Sequence, residues 1–526
     1  MRKSVLFMMM AVAAMLVSCG DLVDAFLGTD DHPVTPQEQE QLAEYTILYY
    51  ANGGANADRC ILPMISDFYK ASPDAYKKVN VVVQYKFSTT ENLTKQQVAF
   101  EEFTPEICEA FGSKTVRWAV DPTKTFQKQA YSQDNIYGAH NADCTCPDSL
   151  TNFINWAAKA YPAKKYMLIV NDHGKGYTPH DELPATTPAT TRGLLFDDGY
   201  PVEGQNNKHF TAKTFHRAVA AANVRFETIF MLACLMNNLE YHFELQDLCD
   251  YVIASTYIMP AWGGALYDLP ELLSQPDVDI EKALDAYCKA DVTSWDNNDE
   301  FPEGYPLYCD LSVTRNANIA RLGLVMREFT DRLCNTYQNG TDAQRQTIDS
   351  CTAHAVKVQI DKPYYDVAKY MASLMSALPE VYGDNFYSLM EETFNSCILA
   401  QYYSKYLTAH DYMVDYSVLL GTEGTYSLFL WKEDPQTGAK IPKSERIYYA
   451  DGTTQLFNIT PTDNPNYYES TFDKEDAPWG STLADTYEQL AFDRVVGWSR
   501  WLKLNRQQPN IFCPSGLHYE LPMPEE

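Results

Sequence analysis

The sequence has few basic residues for its length. It contains 41 Lys and Arg against 70 Asp and Glu among 526 residues, which gives a formal net charge of −29 at pH 7. A chain this acidic repels the phosphate backbone of nucleic acids, so we expect no nucleic-acid partner. The acidic residues form no long block. The excess of acid therefore indicates a charged, soluble surface rather than an acidic tail.

The cysteines lack the spacing of a disulfide framework or a zinc site. Thirteen cysteines are scattered along the chain, and the one closely spaced pair is C-T-C at 144–146. A single C-x-C without a second pair is weak evidence for a metal. The chain also shows no internal repeat and no apolar run of membrane-spanning length. With 45% hydrophobic residues, it is typical of a globular protein of two or more domains.

The first residues are typical of a bacterial lipoprotein signal. Two basic residues precede an apolar stretch at 5–17 that is too short to span a membrane, and LVSCG at 16–20 resembles a lipobox. We expect a signal peptide at 1–18 and lipidation of Cys19. The acyl chains would anchor the protein in the lipid bilayer of the bacterial envelope, at the outer membrane or cell surface. The polar stretch 19–42 is predicted to be a tether. An ordinary signal peptide cut nearby is the alternative.

Alternating apolar strands and helices predict an α/β fold whose mostly parallel sheet is covered by helices on both faces. The predicted strands are 45–52, 77–87, 115–120, 166–170, 226–233 and 251–255, and the predicted helices among them are 147–161 and 210–222. Beyond residue 270 the pattern becomes largely helical, at 279–291, 318–337, 366–378, 386–406 and 486–505. A strand at 307–313, a β-hairpin at 412–431 and a loop at 434–468 complete the prediction. We expect one domain at 43–310 and a helical region with a small β element at 311–526, packed on it.

Two predicted strands lead to residues whose side chains can take part in catalysis. The strand at 166–170 leads to His173 and Gly174, and the strand at 226–233 leads to Cys234. Because the carboxyl ends of parallel strands meet at one edge of a sheet, these residues can meet although 61 positions separate them. A cysteine attacks as the thiolate, and an imidazole can take its proton and later protonate a leaving amine. The pattern favours covalent acyl transfer.

Ordinary structural roles compete with this interpretation. A cysteine at a strand end is usually a small buried apolar residue, and a lone histidine there is usually a polar surface residue. Asn171 and Asp172 border the site and could orient His173, but their interpretation as exposed polar residues is favoured. The acidic pair at 197–198 in LLFDDG is compatible with a turn or with a cation site.

The residues around His173 and Cys234 resemble the clostripain-like family of cysteine peptidases, in the clan of caspases, legumains and gingipains. HGKGY at 173–177 is similar to the family's His-Gly-x-Gly-Trp, and ACLM at 233–236 followed by Glu240 is similar to its Ala-Cys-Leu-Met…Glu. The resemblance implies a caspase-like fold, peptide or protein substrates, His173 as general base and acid, and Cys234 as nucleophile. It also implies an oxyanion hole formed by the backbone N–H groups of Gly174 and Cys234. No cofactor or metal is expected, and nothing in the sequence supports a calcium requirement.

The sequence departs from the family at two positions. Leu232 stands where the family usually has an Asp two residues before the nucleophile, and Thr256 stands where a Glu usually follows Ser255. A buried Arg or Lys side chain without a paired carboxylate is costly. We therefore expect Leu232, Ser255 and Thr256 to line a substrate pocket that disfavours Arg and Lys at P1, the substrate residue before the cleaved bond. An inactive homologue, or a non-catalytic lipoprotein that binds peptides or glycans, is the alternative.

Overall fold

The computed structural model describes most of the chain after residue 41. The described residues are 42–54, 56–98, 100–174, 176–177, 193–197, 199, 208–260, 264–298, 307–356, 358, 364–419, 426–433, 440–448, 454–461, 468–475 and 487–505. The chain divides into the units Met1–Leu42 and Ala43–Glu526, and every element below lies in the second unit. The signal peptide, Cys19 and the tether lie outside the described residues.

A nine-stranded sheet forms the centre of the fold. The strands of the described chain are β1 Ala43–Asn52, β2 Val79–Lys86, β3 Thr115–Ala119, β4 Ile136–Tyr137, β5 Ala163–Asn171, β6 Leu194–Asp197, β7 Lys208–Phe210, β8 Phe226–Leu232, β9 Cys249–Ala254, β10 Asp310–Arg315, β11 Tyr364–Asp366, β12 Ile398–Tyr403, β13 Ser417–Leu419, β14 Tyr426–Glu433, β15 Lys440–Tyr448, β16 Thr454–Pro461 and β17 Tyr468–Glu475. The order in the large sheet is β12-β10-β9-β8-β5-β1-β2-β3-β4. The run from β9 to β2 is parallel, and antiparallel strands complete both edges.

Helices follow most of the strands. They are α1 Asp58–Asp67, α2 Thr90–Gln96, α3 Pro105–Phe111, α4 Phe126–Ala130, α5 Pro147–Ala160, α6 Ala212–Ala220, α7 Leu239–Leu245, α8 Asp268–Leu273, α9 Ile280–Asp296, α10 Ile319–Asn339, α11 Asp342–Ala353, α12 Val367–Ala377, α13 Pro379–Tyr382, α14 Asp384–Cys397, α15 Lys405–Ala409, α16 Ala491–Val496 and α17 Ser499–Asn505. Short 3₁₀ turns lie at Phe68–Lys70, Ala75–Lys77, Gln133–Asn135 and Asn316–Asn318. Over the described chain, every helix is too short or too polar to cross a bilayer.

The parallel strands are buried on both faces, which explains their continuous apolar sequences. Successive side chains of a strand point to opposite faces. In β5, Leu168 and Val170 join a core cluster with residues of α5 and α6. Met167 and Ile169 join a second cluster with residues of α1 and α9. The predicted mostly parallel sheet with helices on both faces is therefore confirmed.

Three predictions for the second half of the chain are wrong in part. The helix predicted at 386–406 ends at Cys397, because Ile398–Tyr403 pairs with the free edge of β10 as strand β12. The predicted loop at 434–468 contains β15 and β16 of an antiparallel sheet formed by β14–β17. The predicted hairpin at 412–431 does not form, since β13 pairs with β11 and β14 pairs with β15. The large sheet contains strands from before and after residue 310. The domain boundary proposed at residue 310 stays a prediction.

Candidate active site

The register of β5 and β8 brings His173 and Cys234 to neighbouring positions. Asn171 pairs with Leu232 in parallel register, and His173 and Cys234 each lie two residues beyond that pair. Gly174 packs directly against the loop that carries Cys234. A Cβ at Gly174 would lie 2.4 Å from the carbonyl oxygen of Cys234 and 3.0 Å from its backbone nitrogen. The two loops therefore meet at the carboxyl edge of the sheet, as the sequence predicted for these strand ends.

A second glycine of the histidine loop makes a similar close contact. Gly176 has φ +67°, and a Cβ there would lie 2.9 Å from the carbonyl oxygen of Leu235 and 2.8 Å from the ring of Tyr364. The Tyr364 hydroxyl donates to the carbonyl of Tyr177 over 2.9 Å. The spacing of glycines in HGKG thus follows from the contact between the two loops, because a side chain at either glycine would push them apart.

Cys234 lies in a sharply turned loop after β8. Leu235 adopts a left-handed backbone conformation, with φ +64°, and its N–H donates to the carbonyl of Tyr257 over 2.9 Å. The Sγ atom of Cys234 accepts the N–H of Met259 over 3.2 Å. A backbone N–H directed at the sulfur stabilises negative charge there, which suits a cysteine that reacts as the thiolate.

His173 is held through its ring, its N–H and its carbonyl group. Its Nε2 atom lies 3.0 Å from Oδ1 of Asn56, in the loop that follows β1, the strand next to β5. Its backbone N–H donates to Asp172 over 2.6 Å, and the other carboxylate oxygen of Asp172 accepts from Asn52 over 3.2 Å. Its carbonyl oxygen accepts the N–H of Leu195 over 3.2 Å. Sequence reasoning missed Asn56, although the polar break after the first predicted strand was a signal for a neighbouring strand end.

A buried carboxyl group supports the loop that carries Asn56. Asp58 is fully buried beneath this loop and accepts hydrogen bonds from the Tyr85 hydroxyl over 2.8 Å and from the Gln96 amide over 3.0 Å. A Cβ at Gly53 would lie 1.9 Å from its Oδ1 atom. Burial raises the pKa of Asp58 to about 6. The loop therefore packs closely against a buried and hydrogen-bonded side chain.

Asn171 and Asp172 are not exposed. Their exposed fractions are 4% and 6%, so their interpretation as exposed polar residues is wrong. The Asn171 amide donates to the Tyr49 hydroxyl, and Asp172 connects the backbone of His173 to Asn52. The reason is the crowded carboxyl edge of a parallel sheet, where residues just beyond a strand are covered by the neighbouring loops.

The three predicted substrate-pocket residues have buried side chains. Leu232 is 4% exposed and belongs to the core cluster on the α1 and α9 side of the sheet. The side chain of Ser255 and the backbone N–H of Thr256 both donate to Oδ1 of Asp310, over 2.7 Å and 2.9 Å. The Thr256 hydroxyl accepts from the Asn237 amide over 2.9 Å. Their contact with substrate stays a prediction.

Asp197 belongs to a buried ion pair. Its carboxylate contacts the ammonium group of Lys86, and both side chains are at most 1% exposed. It also accepts the backbone N–H groups of Cys144 and Gly199, each over 3.0 Å. Asp198 lies outside the described residues. For Asp197 the structure supports the turn, since its carboxylate accepts the N–H of Gly199 two residues later, and the described residues contain no cluster of three or more His, Cys, Asp or Glu that could hold a metal.

The same ion pair holds a strand against the histidine loop. Asp197 ends β6, and Leu194 at the start of β6 forms a β-bridge with Gly174. Strand β6, which lies between the two site residues in sequence, therefore lies along His173. Within the described part of the chain, no disulfide is formed by any of the cysteines.

Comparison with known proteins agrees with this geometry. The model of the clostripain family, peptidase family C11, matches residues 120–484, which is well over half of the chain. The chain belongs to the clostripain family of cysteine peptidases. The resemblance noted around His173 and Cys234 is thus confirmed at the level of the family, and the protein is a cysteine peptidase by that membership. No curated protein matches the chain.

Solved structures of the clostripain family share the fold. One is a secreted C11 cysteine protease from Bacteroides thetaiotaomicron in complex with an irreversible peptide inhibitor, at 13% identity and a TM-score of 0.50 over 87% of this chain and 99% of that one. Another, the secreted C11 cysteine protease "iotapain" of the same organism, is 14% identical with a TM-score of 0.51 over 86% and 99%. At such low identity the likeness shows the fold alone, and it confirms the caspase-like architecture.

Proposed function

We propose that this clostripain-family protein is a membrane-anchored endopeptidase that cleaves peptide bonds through a dyad of Cys234 and His173. The observation that carries the proposal is the contact of the two strand-end loops, in which Gly174 lies against the backbone of Cys234. A general base must come within reach of its nucleophile, and the positions of both residues two places beyond a paired register position support this proximity.

In the proposed mechanism, Asn56 fixes the tautomer of His173. With Nε2–H donating to the Asn56 carbonyl oxygen, Nδ1 carries the lone pair that accepts the thiol proton. The Cys234 thiolate attacks the substrate carbonyl, the imidazolium protonates the leaving amine, and an acyl-enzyme remains. Water, deprotonated by the same imidazole, then releases the carboxylic acid and restores the thiol.

The backbone N–H groups of Gly174 and Cys234 are the proposed oxyanion donors. Both belong to the turns at the carboxyl ends of adjacent strands, and the Cβ position of Gly174 lies 3.0 Å from the Cys234 nitrogen. Donors fixed by strand-end turns need no reorganisation when the tetrahedral intermediate develops its charge. The N–H of Met259 at Sγ would support the thiolate before the attack.

The dyad is tested by combining labelling with turnover. A biotinylated peptidyl acyloxymethyl ketone should label the wild type at Cys234, and both labelling and peptide hydrolysis should be lost in Cys234→Ala and His173→Ala. Cys351→Ala, a change at another partly exposed cysteine, should retain both. Undiminished hydrolysis by Cys234→Ala would contradict the dyad. Failure of the wild type to label under reducing conditions, together with glycan or peptide binding, would favour a non-catalytic binding lipoprotein.

We also propose that the P1 preference excludes Arg and Lys. Support comes from Leu232, which places an apolar side chain of the buried core cluster where the family usually has an acid. A substrate panel that varies only P1 should show faster turnover with apolar or small residues than with Arg or Lys. Leu232→Asp should raise the relative turnover of Arg substrates. Equal turnover of Arg substrates by the wild type, lost in Cys234→Ala, would overturn this preference.

Lipidation of Cys19 is the proposed basis of membrane attachment in the bacterial envelope. Its support is the lipobox-like LVSCG at 16–20, followed by the polar stretch up to the first strand at Ala43. Expression in a bacterial host with an alkyne-tagged palmitate should label the wild type and place it in the outer-membrane or cell-surface fraction. Cys19→Ser should lose the label and appear in the soluble fraction. An unlabelled, soluble wild type would show that an ordinary signal peptide operates instead.

A further inference from the structure

A cavity of about 200 Å³ lies at the β2–β4 edge of the sheet, between β3 and the start of α5. Its walls include Arg117, Gln84, Ser149, Asn152 and Asp143. The peptidase mechanism uses none of these side chains. Their amide, hydroxyl and guanidinium groups make the cavity a polar one, which differs from the apolar gaps that arise from imperfect packing.

Arg117 is the reason to regard this cavity as a binding site. Its side chain is buried, with 8% of the residue exposed, and its Nε–H donates to the side-chain carbonyl of Gln84. The guanidinium lies 3.4 Å from the ring centroid of Tyr137 and 5.2 Å from that of Trp156. Among the described residues, Arg117 forms no ion pair with a carboxylate. Burial lowers its pKa to about 10, so the group stays charged at neutral pH.

A buried guanidinium without an ion-paired carboxylate is unusual in a chain with a net charge of −29, and among the described residues Arg117 forms no such pair although Asp143 lines the same cavity. Removing such a charge from water is unfavourable unless a partner of opposite sign replaces the lost hydration. A neutral amide and an aromatic face supply only part of that replacement. An anion that met the guanidinium would supply the rest of it.

The start of α5 points to the same conclusion independently. This 14-residue helix begins at Pro147, and its N-cap residue, Cys146, makes no side-chain capping hydrogen bond. Ser149 and Asn152 of its first turns line the cavity. The N-terminus of a helix carries partial positive charge and favours a nearby anion. A buried guanidinium and two residues from the first turns of a helix thus line one small polar cavity, with Asp148 supplying negative charge to the same first turn.

We propose that this cavity binds a small carboxylate, with Arg117 as its charge partner. The ring of Tyr137 covers one face of the guanidinium, which leaves the planar edge that pairs with a carboxylate through two parallel hydrogen bonds. Asp143 in the wall disfavours a dianion such as phosphate. The volume admits a molecule of the size of a free amino acid or a short-chain organic acid, and the site is independent of the peptidase dyad.

Titration of the full-length protein with sodium propionate, at an ionic strength held constant with NaCl, tests the proposal. Trp156 lies near Arg117, so intrinsic fluorescence reports occupancy, and a Trp156→Phe variant assigns the signal. We expect a saturable change with propionate, a similar one with glycine if the natural ligand is an amino acid, and none with the neutral isostere propionamide. Tighter binding of inorganic phosphate than of propionate would overturn the carboxylate assignment.

Variants test whether the fluorescence change comes from binding at Arg117. Arg117→Gln should weaken propionate binding at least tenfold, whereas Arg225→Gln, at an exposed ion pair with Asp250, should leave it unchanged. Because Arg117→Gln can fail to fold, Asn152→Phe provides a second test. This exposed helix position lies in the cavity wall, and the larger ring should block binding without loss of stability. A wild type without saturable binding, or an isotherm unaltered in Asn152→Phe, would refute the site.

Discussion

Asn56 and His173 show how a single side chain from a neighbouring strand end can complete a site. The amide oxygen of Asn56 meets Nε2 of the imidazole at 3.0 Å, and the loop that carries it rests on the buried carboxyl of Asp58. An imidazole that acts first as base and then as acid benefits from a partner that fixes its orientation in both states. Asn56 is therefore a positioning residue in the proposed mechanism.

Replacement of Asn56 by Ala should lower kcat by about 10- to 100-fold, the effect of losing a hydrogen bond of about 1.5–3 kcal/mol to a charged group. KM should change little, because Asn56 acts on the histidine and not on the substrate. Asn56→Asp should restore part of the rate, since a carboxylate also accepts from Nε2–H. Steady-state kinetics on one peptide, with Asn335→Ala on the exposed face of a helix as control, measures both effects. A raised KM with unchanged kcat would contradict the role.

Replacement of Gly174 by Ala should separate the two loops of the site. The new Cβ would lie 2.4 Å from the carbonyl oxygen of Cys234, a backbone atom that cannot rotate away. A displacement on the order of 1 Å can cost about 100-fold in rate, so activity and labelling of Cys234 should fall at least that far. Gly383→Ala is the control, because its Cβ would meet nothing within 4 Å despite a φ of +74°. It should lose about 1–3 kcal/mol of stability, because its ψ of 153° lies in a region that is nearly restricted to glycine, and it should lose no activity.

At the scale of elements, the short strand β6 contacts the loop that carries His173. It reaches Gly174 through a β-bridge and the sheet through the ion pair of Asp197 with Lys86. Lys86 belongs to β2 and also donates to the side chain of Asn141 over 3.0 Å. Lys86 is the only described ammonium group that contacts Asp197. The buried pair therefore determines the position of β6 relative to β2.

Replacing one residue of the buried pair should destabilise the protein more than the loss of the pair as a whole would suggest. Lys86→Met or Asp197→Asn alone should lower the free energy of unfolding by about 3–5 kcal/mol, since each leaves an unpaired group in the interior. The double variant should lose clearly less than the sum. Urea denaturation of the four proteins gives the coupling energy, and peptidase activity should fall with the single variants because β6 supports the loop of His173. Strictly additive losses would show that the two side chains do not interact.

At the scale of the whole molecule, several carboxyl groups are enclosed by the fold. Burial raises the pKa to about 6 for Asp58 and Asp310 and to about 7 for Asp291 and Asp366. In the unfolded chain each titrates near 3.9. Between these values the folded state binds protons more tightly than the unfolded state, so the stability that these groups contribute is present at low pH and is lost as pH rises through their folded pKa values.

The free energy of unfolding should therefore fall as pH rises from about 5 to 8. Each carboxyl contributes at most about 1.4 kcal/mol per pH unit within its window. His242 opposes the trend below about pH 6.5, because burial lowers its pKa to about 3, but four carboxyls outweigh one imidazole. Urea denaturation at pH 5, 6, 7 and 8 measures the slope, which Asp291→Asn should reduce between pH 5 and 7. A stability that increases over this range would contradict the prediction.

The sequence by itself determined the strands of the parallel sheet and the two residues at their ends. Strands buried on both faces need continuous apolar runs, and these runs locate β1, β2, β5, β8 and β9 without any tertiary information. The family motif implied Gly174 as an oxyanion donor, and its close contact with the loop of Cys234 is visible only in the structure. The resemblance to the family motifs then implied that these two residues belong to a cysteine peptidase.

Only the tertiary structure decided the contacts between segments distant in sequence. Asn56 reaches His173 from another strand, Lys86 meets Asp197 across 111 positions, and Arg117 faces a cavity closed by α5. Residues 398–403 form a strand because β10 offers them an open edge, whereas their local pattern favours a helix. Burial and pairing depend on the whole folded chain. Local periodicity in the sequence therefore does not predict which partner a polar side chain or a sheet edge will contact.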